Sequence, residues 1–510
     1  MMALRPLRDP GLALLSGLLL AAAFPLPDFS FLAWVALVPL LLVMSRRPFA
    51  YGFLAGIGFF AAALYWLNIV MVTYGRLPPA LSILVYLILV CYLALYFALP
   101  VWLSERFRRR AGVPIFFSLP VLWLSFEFLR GIALTGFPWA LIGYSQHANL
   151  SLIQSADLVG VYGVGFLIVF SNGLVARLVY LLWRRDTALL PWRTLVVFIL
   201  LFGANWGYGI WRLGQQVARV DPPFKVGLIQ GNIDQAVKWD PDYQLSTIQT
   251  YLSLSEKALQ SGVQLLVWPE SATPFYLQDA SLLSQKVQQF TVRTRSFLLT
   301  GSPAYEFTPK QVRYLNSAFL LSPDGAFLGR SDKVHLVPFG EYVPLNRFLP
   351  FVNKLVAGIG DFSPGVVAPI RMDEHRLGVL VCYEGIFPDL TRAYVKAGSE
   401  LLVNVTNDAW FGRSSAPYQH LAMTRFRAIE NRRWLVRAAN TGVSAIIAPS
   451  GAMVAASPIF QADFVTGDVS FRKEISFYTE WGSFVPLPFL LLSLLWFGQS
   501  QMKSVSSDFK

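Results

Sequence analysis

Leu377-Gly378-Val379-Leu380-Val381-Cys382-Tyr383-Glu384-Gly385-Ile386-Phe387-Pro388 is the stretch whose reading decides the fold. A run of apolar, largely branched residues stops at a cysteine, and a Tyr-Glu-Gly turn follows. It reads as a buried strand that delivers a thiol to the rim of a sheet. The chain has 2 cysteines, and the other, Cys91, lies inside a long apolar segment, so Cys382 has no evident disulfide partner. A lone thiol at a strand end is either core filling or a nucleophile.

Around this stretch the composition is that of a membrane protein. Of 510 residues 55% are hydrophobic, only 14% are charged, and the mean hydropathy is +0.50; soluble domains carry about a quarter charged residues. The apolar excess fills the N-terminal part and a short piece near the C-terminus, while the middle has the composition of a globular domain. The net charge of +12 comes largely from arginines clustered between apolar segments. That placement points to membrane topology and away from nucleic acid. His147, His335, His375 and His420 show no metal-ligand spacing, so no metal site is expected.

Seven apolar segments precede the middle region, at roughly 11–25, 29–45, 50–74, 79–104, 113–133, 160–182 and 191–211, and an eighth covers about 483–499. Several exceed the roughly 20 residues that a membrane-crossing helix needs; the first two are short. The opening segment, with Arg5 and Arg8 ahead of it and Ala21-Ala22-Ala23 at its end, has features of a signal peptide. It reads as a retained anchor, because a second span follows at once. With the N-terminus inside, Arg46 and Arg47, Arg106 to Arg110, and Arg184, Arg185 and Arg193 all fall inside, with Lys503 and Lys510 after the last span. The opposite connections carry only Arg76 and Arg130. This positive-inside pattern puts residues 215–482 on the outer face, between helices 1–7 in residues 1–214 and helix 8 in 483–510. The chain is therefore expected in a membrane, with both termini on the inner side and the middle domain on the outer side.

Glu127 and Arg130 lie one helical turn apart within the fifth span and can pair on one face, as a structural ion pair or as a functional site. The connection after them, Gly136-Phe137-Pro138-Trp139-Ala140 to Gln146, is aromatic and suits the outer interface. From Lys225 the pattern changes to short apolar strands alternating with amphipathic helices. Strands are expected at Lys225–Asn232, Val263–Ser271, Phe297–Gly301, Asn316–Leu321, Leu377–Cys382, Leu401–Thr406, Arg437–Ala439 and Ser444–Ala448. Helices are expected at Pro241–Leu259, capped by Asp240, at Ser281–Arg295 and at Pro417–Glu430. This alternation fits one α/β domain with a sheet covered by helices.

Three ionisable residues end or follow strands: Glu270 in Trp268-Pro269-Glu270-Ser271, Lys333 in Asp332-Lys333-Val334-His335-Leu336-Val337-Pro338-Phe339-Gly340-Glu341, and Cys382. Singly they read as a loop carboxylate, a surface lysine and a packed thiol. Together the three motifs resemble those of the nitrilase, or carbon–nitrogen hydrolase, superfamily, and Asn404-Val405-Thr406-Asn407-Asp408-Ala409-Trp410-Phe411-Gly412 extends the likeness. With apolar spans on both sides, the whole chain is similar to the apolipoprotein N-acyltransferase family. Thr135-Gly136-Phe137-Pro138-Trp139 and Gln419-His420 belong to that likeness.

The resemblance implies an α-β-β-α sandwich beside an integral membrane domain of about eight helices. It implies a catalytic triad of Glu270 as base, Lys333 as oxyanion stabiliser and Cys382 as nucleophile. Glu341, Tyr383, Glu384 and Trp239 are implied as supporting or substrate-binding residues, and no cofactor is required. The implied reaction takes an acyl chain from a membrane phospholipid, holds it as a thioester on Cys382, and passes it to the N-terminal α-amino group of a diacylglyceryl-cysteine apolipoprotein. Both partners carry lipid, so the site is expected at bilayer level. The apolar stretch 346–360 is either a mobile arm gating lipid entry or a helix packed on the domain. Two other readings stand beside this one. A tethered amidase that uses water as acceptor has little need of so many spans. A transporter or lipid-binding scaffold has little need of an intact triad.

Overall fold

The computed structural model describes residues 5–185, 191–215, 223–342 and 362–507; the stretch 346–360 lies outside them. The chain forms two compact units. One comprises Met1–Asn68, Pro78–Gly214 and Trp481–Lys510, the other Ile69–Leu77 with Gln215–Glu480.

Five helices are long and apolar enough to cross a membrane: Pro79–Ala111, Ile115–Thr135, Ala156–Arg184, Trp192–Gln215 and Phe477–Met502. Pro48–Ala63 and Leu67–Tyr74 make a sixth if the pair, bent by 58°, is one span. Among the described residues the count is therefore five or six, where the sequence led to eight. The difference lies in the first two segments and, if the bent pair is not one span, in the third. Arg5–Ala21 has 17 helical residues, about 25 Å at 1.5 Å per residue, short of the ~30 Å apolar core. The second is broken into Ser30–Trp34, Val38–Val43 and Met44–Arg46; Pro39, which has no N–H to donate, opens the middle piece and interrupts the ladder. Close packing among these helices relies on small residues: a Cβ at Gly17 would lie 2.0 Å from the carbonyl oxygen of Ala55.

Glu127 and Arg130 are both buried but form no direct ion pair. Glu127 Oε1 accepts from Ile142 N at 2.7 Å, and Arg130 Nη1 donates to Trp139 O at 3.0 Å. Arg130 also lies 5.1 Å over the Phe60 ring. Each charge thus finds main-chain partners in the aromatic connection 136–146, which favours the structural reading.

The α/β unit is built from two six-stranded sheets. The first contains β1 (Phe224–Gln230), β2 (Leu265–Val267), β3 (Phe297–Phe307), β4 (Val312–Leu321) and β5 (Phe327–Asp332). The second contains β6 (Ile370–Met372), β7 (His375–Val381), β8 (Leu401–Thr406), β9 (Leu435–Ala439), β10 (Ala445–Ile447) and β11 (Met453–Ala456), and β12 (Asp463–Val469) returns to the first. The strand orders are β12-β1-β2-β3-β4-β5 and β11-β10-β9-β8-β7-β6. In each sheet three strands run parallel, β1, β2 and β3 in the first and β7, β8 and β9 in the second.

Strand periodicity assigns the faces. Leu377, Val379 and Val381 of β7 and Leu401, Val403 and Val405 of β8 point inward, into one core with Val226, Leu228, Leu265 and Val267 of the first sheet. Their alternates face outward: Leu266 and Leu298 pack with Ile248 of helix Pro241–Leu259 and Val287 of helix Leu282–Thr294. On the other side Leu402 and Leu435 pack with Val395 of helix Pro388–Lys396 and Ala428 of helix Ala416–Asn431. The layers are therefore helix, sheet, sheet, helix, two sheets where the pattern of the residues alone suggested one.

The expected capping at Asp240 is present, its side chain accepting from Asp242 N at 3.0 Å. β2 is shorter than the expected Val263–Ser271, because Pro269 cannot continue the ladder. In its place Trp268 N donates to Leu299 O at 2.8 Å and Gly301 N to Pro269 O at 3.2 Å, seating the Pro269–Ser271 turn on β3. A Cβ at Gly301 would lie 2.6 Å from Glu270 Cα and 2.5 Å from Ser271 N. Gly301→Ala is expected to displace this turn and cost about 1–3 kcal/mol of stability. Thermal unfolding in detergent checks it, and an unchanged melting temperature would show that the backbone yields without cost.

Candidate active site

Open α/β sheets present their chemistry beyond the carboxyl ends of parallel strands. Glu270 follows β2, Cys382 follows β7, and Asn407 and Asp408 follow β8. Lys333 follows the antiparallel β5, and its backbone N–H donates to Asn316 O on β4 at 2.8 Å.

Two of the three residues expected from the sequence, Glu270 and Lys333, come together in a buried cluster, and the buried Cys382 lies within electrostatic reach of both. The Lys333 ammonium, 1% exposed, lies 2.9 Å from Glu341 Oε1 and 3.7 Å from Glu270 Oε1. Asn316 Nδ2 donates to both carboxylates, at 2.8 Å each. The second Glu270 oxygen accepts from Asn407 N at 3.0 Å, and the second Glu341 oxygen from Val337 N at 2.8 Å. Burial alone would favour a neutral amine at Lys333, but the Glu341 and Glu270 carboxylates outweigh it and hold the group above the usual lysine range.

Cys382 sits in the field of the same charges. Burial first, then the Glu270 carboxylate and Asp408, push its thiol up to about 12; Lys333 pulls the other way. At rest the sulfur is therefore protonated. Its backbone has φ +55°, a left-handed conformation that costs a non-glycine residue about 1–2 kcal/mol. Two side chains hold that geometry: Asn404 Nδ2 donates to Cys382 O at 3.2 Å, and His420 Nε2 does so at 3.2 Å. Behind them Arg437 donates to Asp408 Oδ2 at 2.7 Å, and His420 Nδ1 lies 3.0 Å from Asp408 Oδ1. Burial would raise the Asp408 carboxyl, but Arg437 and His420 hold it at about 2.

The supporting residues divide. Glu341 belongs to the cluster. Tyr383 packs its ring 5.0 Å from Phe387 and 6.0 Å from His335. Glu384 is fully buried. Its carboxylate accepts from Val334 N at 2.6 Å, His335 N at 2.8 Å and Val381 N at 2.7 Å, tying the Lys333 loop to the strand that carries the thiol. Burial pushes its carboxyl up to about 7. Trp239, 39% exposed, stands outside the bonded cluster. Its neighbour Lys238, which sequence reasoning passed over, is 1% exposed and donates to Glu270 O at 2.9 Å. Burial brings that amine down to about 8, against the pull of Glu270 and Cys382. Asn316, Asn404 and Arg437 were also missed, being polar residues inside apolar strands. Among the described residues no group of His, Cys, Asp and Glu is disposed to hold a metal ion.

A protonated thiol, a carboxylate in its field and a fixed ammonium make a site for nucleophilic acyl transfer assisted by a base. Residues 16–174 match the model for the apolipoprotein N-acyltransferase N-terminal domain, and residues 225–476 match that for carbon-nitrogen hydrolases. An apolipoprotein N-acyltransferase of Geobacter metallireducens is 50% identical over 94% of this chain and 92% of its own length. One of Pseudomonas putida is 35% identical over 88% and 87%, and one of Azotobacter vinelandii 34% identical over 95% and 93%. The chain belongs to the apolipoprotein N-acyltransferase family.

Proposed function

We propose that this protein moves an acyl chain from a membrane phospholipid to the N-terminal α-amino group of a diacylglyceryl-cysteine apolipoprotein. It works from the bacterial inner membrane, with residues 215–482 in the periplasm and both termini in the cytoplasm. The reading rests on one observation above others: in a chain of this family, the buried Lys333 lies between Glu270 and Glu341, within electrostatic reach of Cys382.

Because the resting sulfur is a thiol, its proton leaves as the bond forms. Glu270 takes the proton while Sγ attacks the ester carbonyl carbon of the phospholipid. Lys333 stabilises the oxyanion of the tetrahedral intermediate. The C–O bond to the glycerol then breaks, and Glu270 returns the proton to the departing lysophospholipid oxygen. In the second half the acceptor nitrogen attacks the thioester carbon and gives a proton to Glu270. The C–S bond breaks and the thiol is restored. A thioester is a reactive donor toward an amine, which suits cysteine to the task. The membrane helices suit it as well, since drawing a lipid chain from the bilayer costs about 0.8 kcal/mol per CH₂.

Incubation with phospholipid labelled in its acyl chain is expected to leave label on Cys382, which a diacylated lipopeptide then removes into its own amide. Cys382→Ala should carry no label; label retained in that variant, or free fatty acid as the only product, would refute the acyltransferase reading. Glu270→Gln keeps the size of the side chain and one oxygen, enough for either Asn316 Nδ2 or Asn407 N; once its folding is verified by thermal unfolding in detergent, it should lose about 10²–10⁴-fold in the rate of thioester formation. Rapid-quench measurement of labelled enzyme checks this, and a rate within threefold of the unsubstituted enzyme would remove Glu270 as the base.

A further inference from the structure

Asn316 stands at the centre of the cluster, 6% exposed, and its amide orientation is fixed by its neighbours. Nδ2 donates to Glu270 Oε1 and Glu341 Oε1, both at 2.8 Å. A flipped amide would set its oxygen against two carboxylate oxygens, so the assignment of N and O is not open. The other end of the amide, Oδ1, is buried and has no hydrogen-bond partner among the described residues. Folded proteins rarely leave such an oxygen unmatched, and a catalytic role is one of the reasons they do.

An amide oxygen can only accept. Of the groups that the proposed reaction brings to this cluster, the phospholipid ester offers oxygens alone, whereas the attacking amine offers N–H. A neutral primary amine has two hydrogens: one passes to Glu270 during attack, and the other needs a place. Asn316 touches Glu270 through Nδ2, so its Oδ1 is one amide group away from the base. We infer that Asn316 Oδ1 is the positioning acceptor for the incoming primary amine, acting in the second half-reaction and favouring an N–H nucleophile over others. This inference rests on the acyl-enzyme reading above and deepens it.

The two half-reactions provide the test, because both use Glu270. A disturbance transmitted through the carboxylates slows both alike, whereas loss of an amine contact slows the second alone. Rapid-quench kinetics on Asn316→Ala would compare three steps: thioester formation from labelled phospholipid, transfer to a diacylated lipopeptide, and thiolysis by dithiothreitol, which carries no N–H. The expected result is a fall in lipopeptide transfer at least about tenfold greater than the fall in thioester formation or thiolysis, with a raised KM for the lipopeptide and not for the phospholipid. Asn316→Ser, which keeps a small polar group without the reach, should follow the same pattern and decides the matter if the alanine variant does not fold. Equal slowing of all three steps would overturn the inference and leave the acyl-enzyme intact. Absence of any thioester in the unsubstituted enzyme would overturn the acyl-enzyme reading and this inference with it.

Discussion

The ammonium of Lys333, closed off from solvent between two carboxylates, is the constraint that the rest of the α/β unit serves. A charge taken out of water is tolerable only when partners stand ready for it. Glu341 at 2.9 Å and Glu270 at 3.7 Å provide the opposite charge. Their remaining oxygens are in turn occupied, by Asn316, Asn407 N and Val337 N. These donors come from the middle of β4, the end of β8 and the loop after Lys333. The cluster therefore exists only when the ends of β2, β5 and β8 meet the middle of β4, which the parallel pairings of β2 and β8 and the antiparallel pairings of β4 and β5 fix within each sheet.

The nucleophile is governed differently, through its backbone. Cys382 occupies a conformation that side chains disfavour, at a sharp exit from β7, and the polar network from Arg437 through Asp408 to His420 grips its carbonyl. That arrangement presents the sulfur without charging it. Under the proposed reaction the resting protein keeps a neutral thiol, which spares it the reactivity of an exposed thiolate, and ionisation waits for substrate and base together.

Much of this was legible because strand ends are marked in sequence. The apolar alternation of β7 and β8 and the proline after β2 placed Cys382, Asn407 and Glu270 at termini. Asp240 announced its helix by capping chemistry. Four strands were missed: Phe327–Asp332 is polar at its end, Ile370–Met372 is only three residues long, Met453–Ala456 is largely exposed, and Asp463–Val469 shows no clean alternation. A second sheet was invisible to periodicity, since inward faces of two sheets read alike. Asn316, Lys238 and Arg437 were missed because a buried polar residue has no pattern of its own; its meaning lies in partners far away in the chain. The short breaks at Pro39 and after Ala63 likewise turned long apolar stretches into pieces that hydropathy alone counts as spans.

The cluster also draws on both sheets at once: Glu270 and Lys333 come from one, while Cys382, Asn407 and the bridging Glu384 come from the other. Apolar contact fills most of the space between the inner faces, and such contact has no preferred register of its own. The polar bridges at the rim therefore act as the latch of the sandwich. A modest slip of one sheet over the other would leave the secondary structure untouched and the chemistry dead, so inactivation in such a protein can precede any spectroscopic sign of melting.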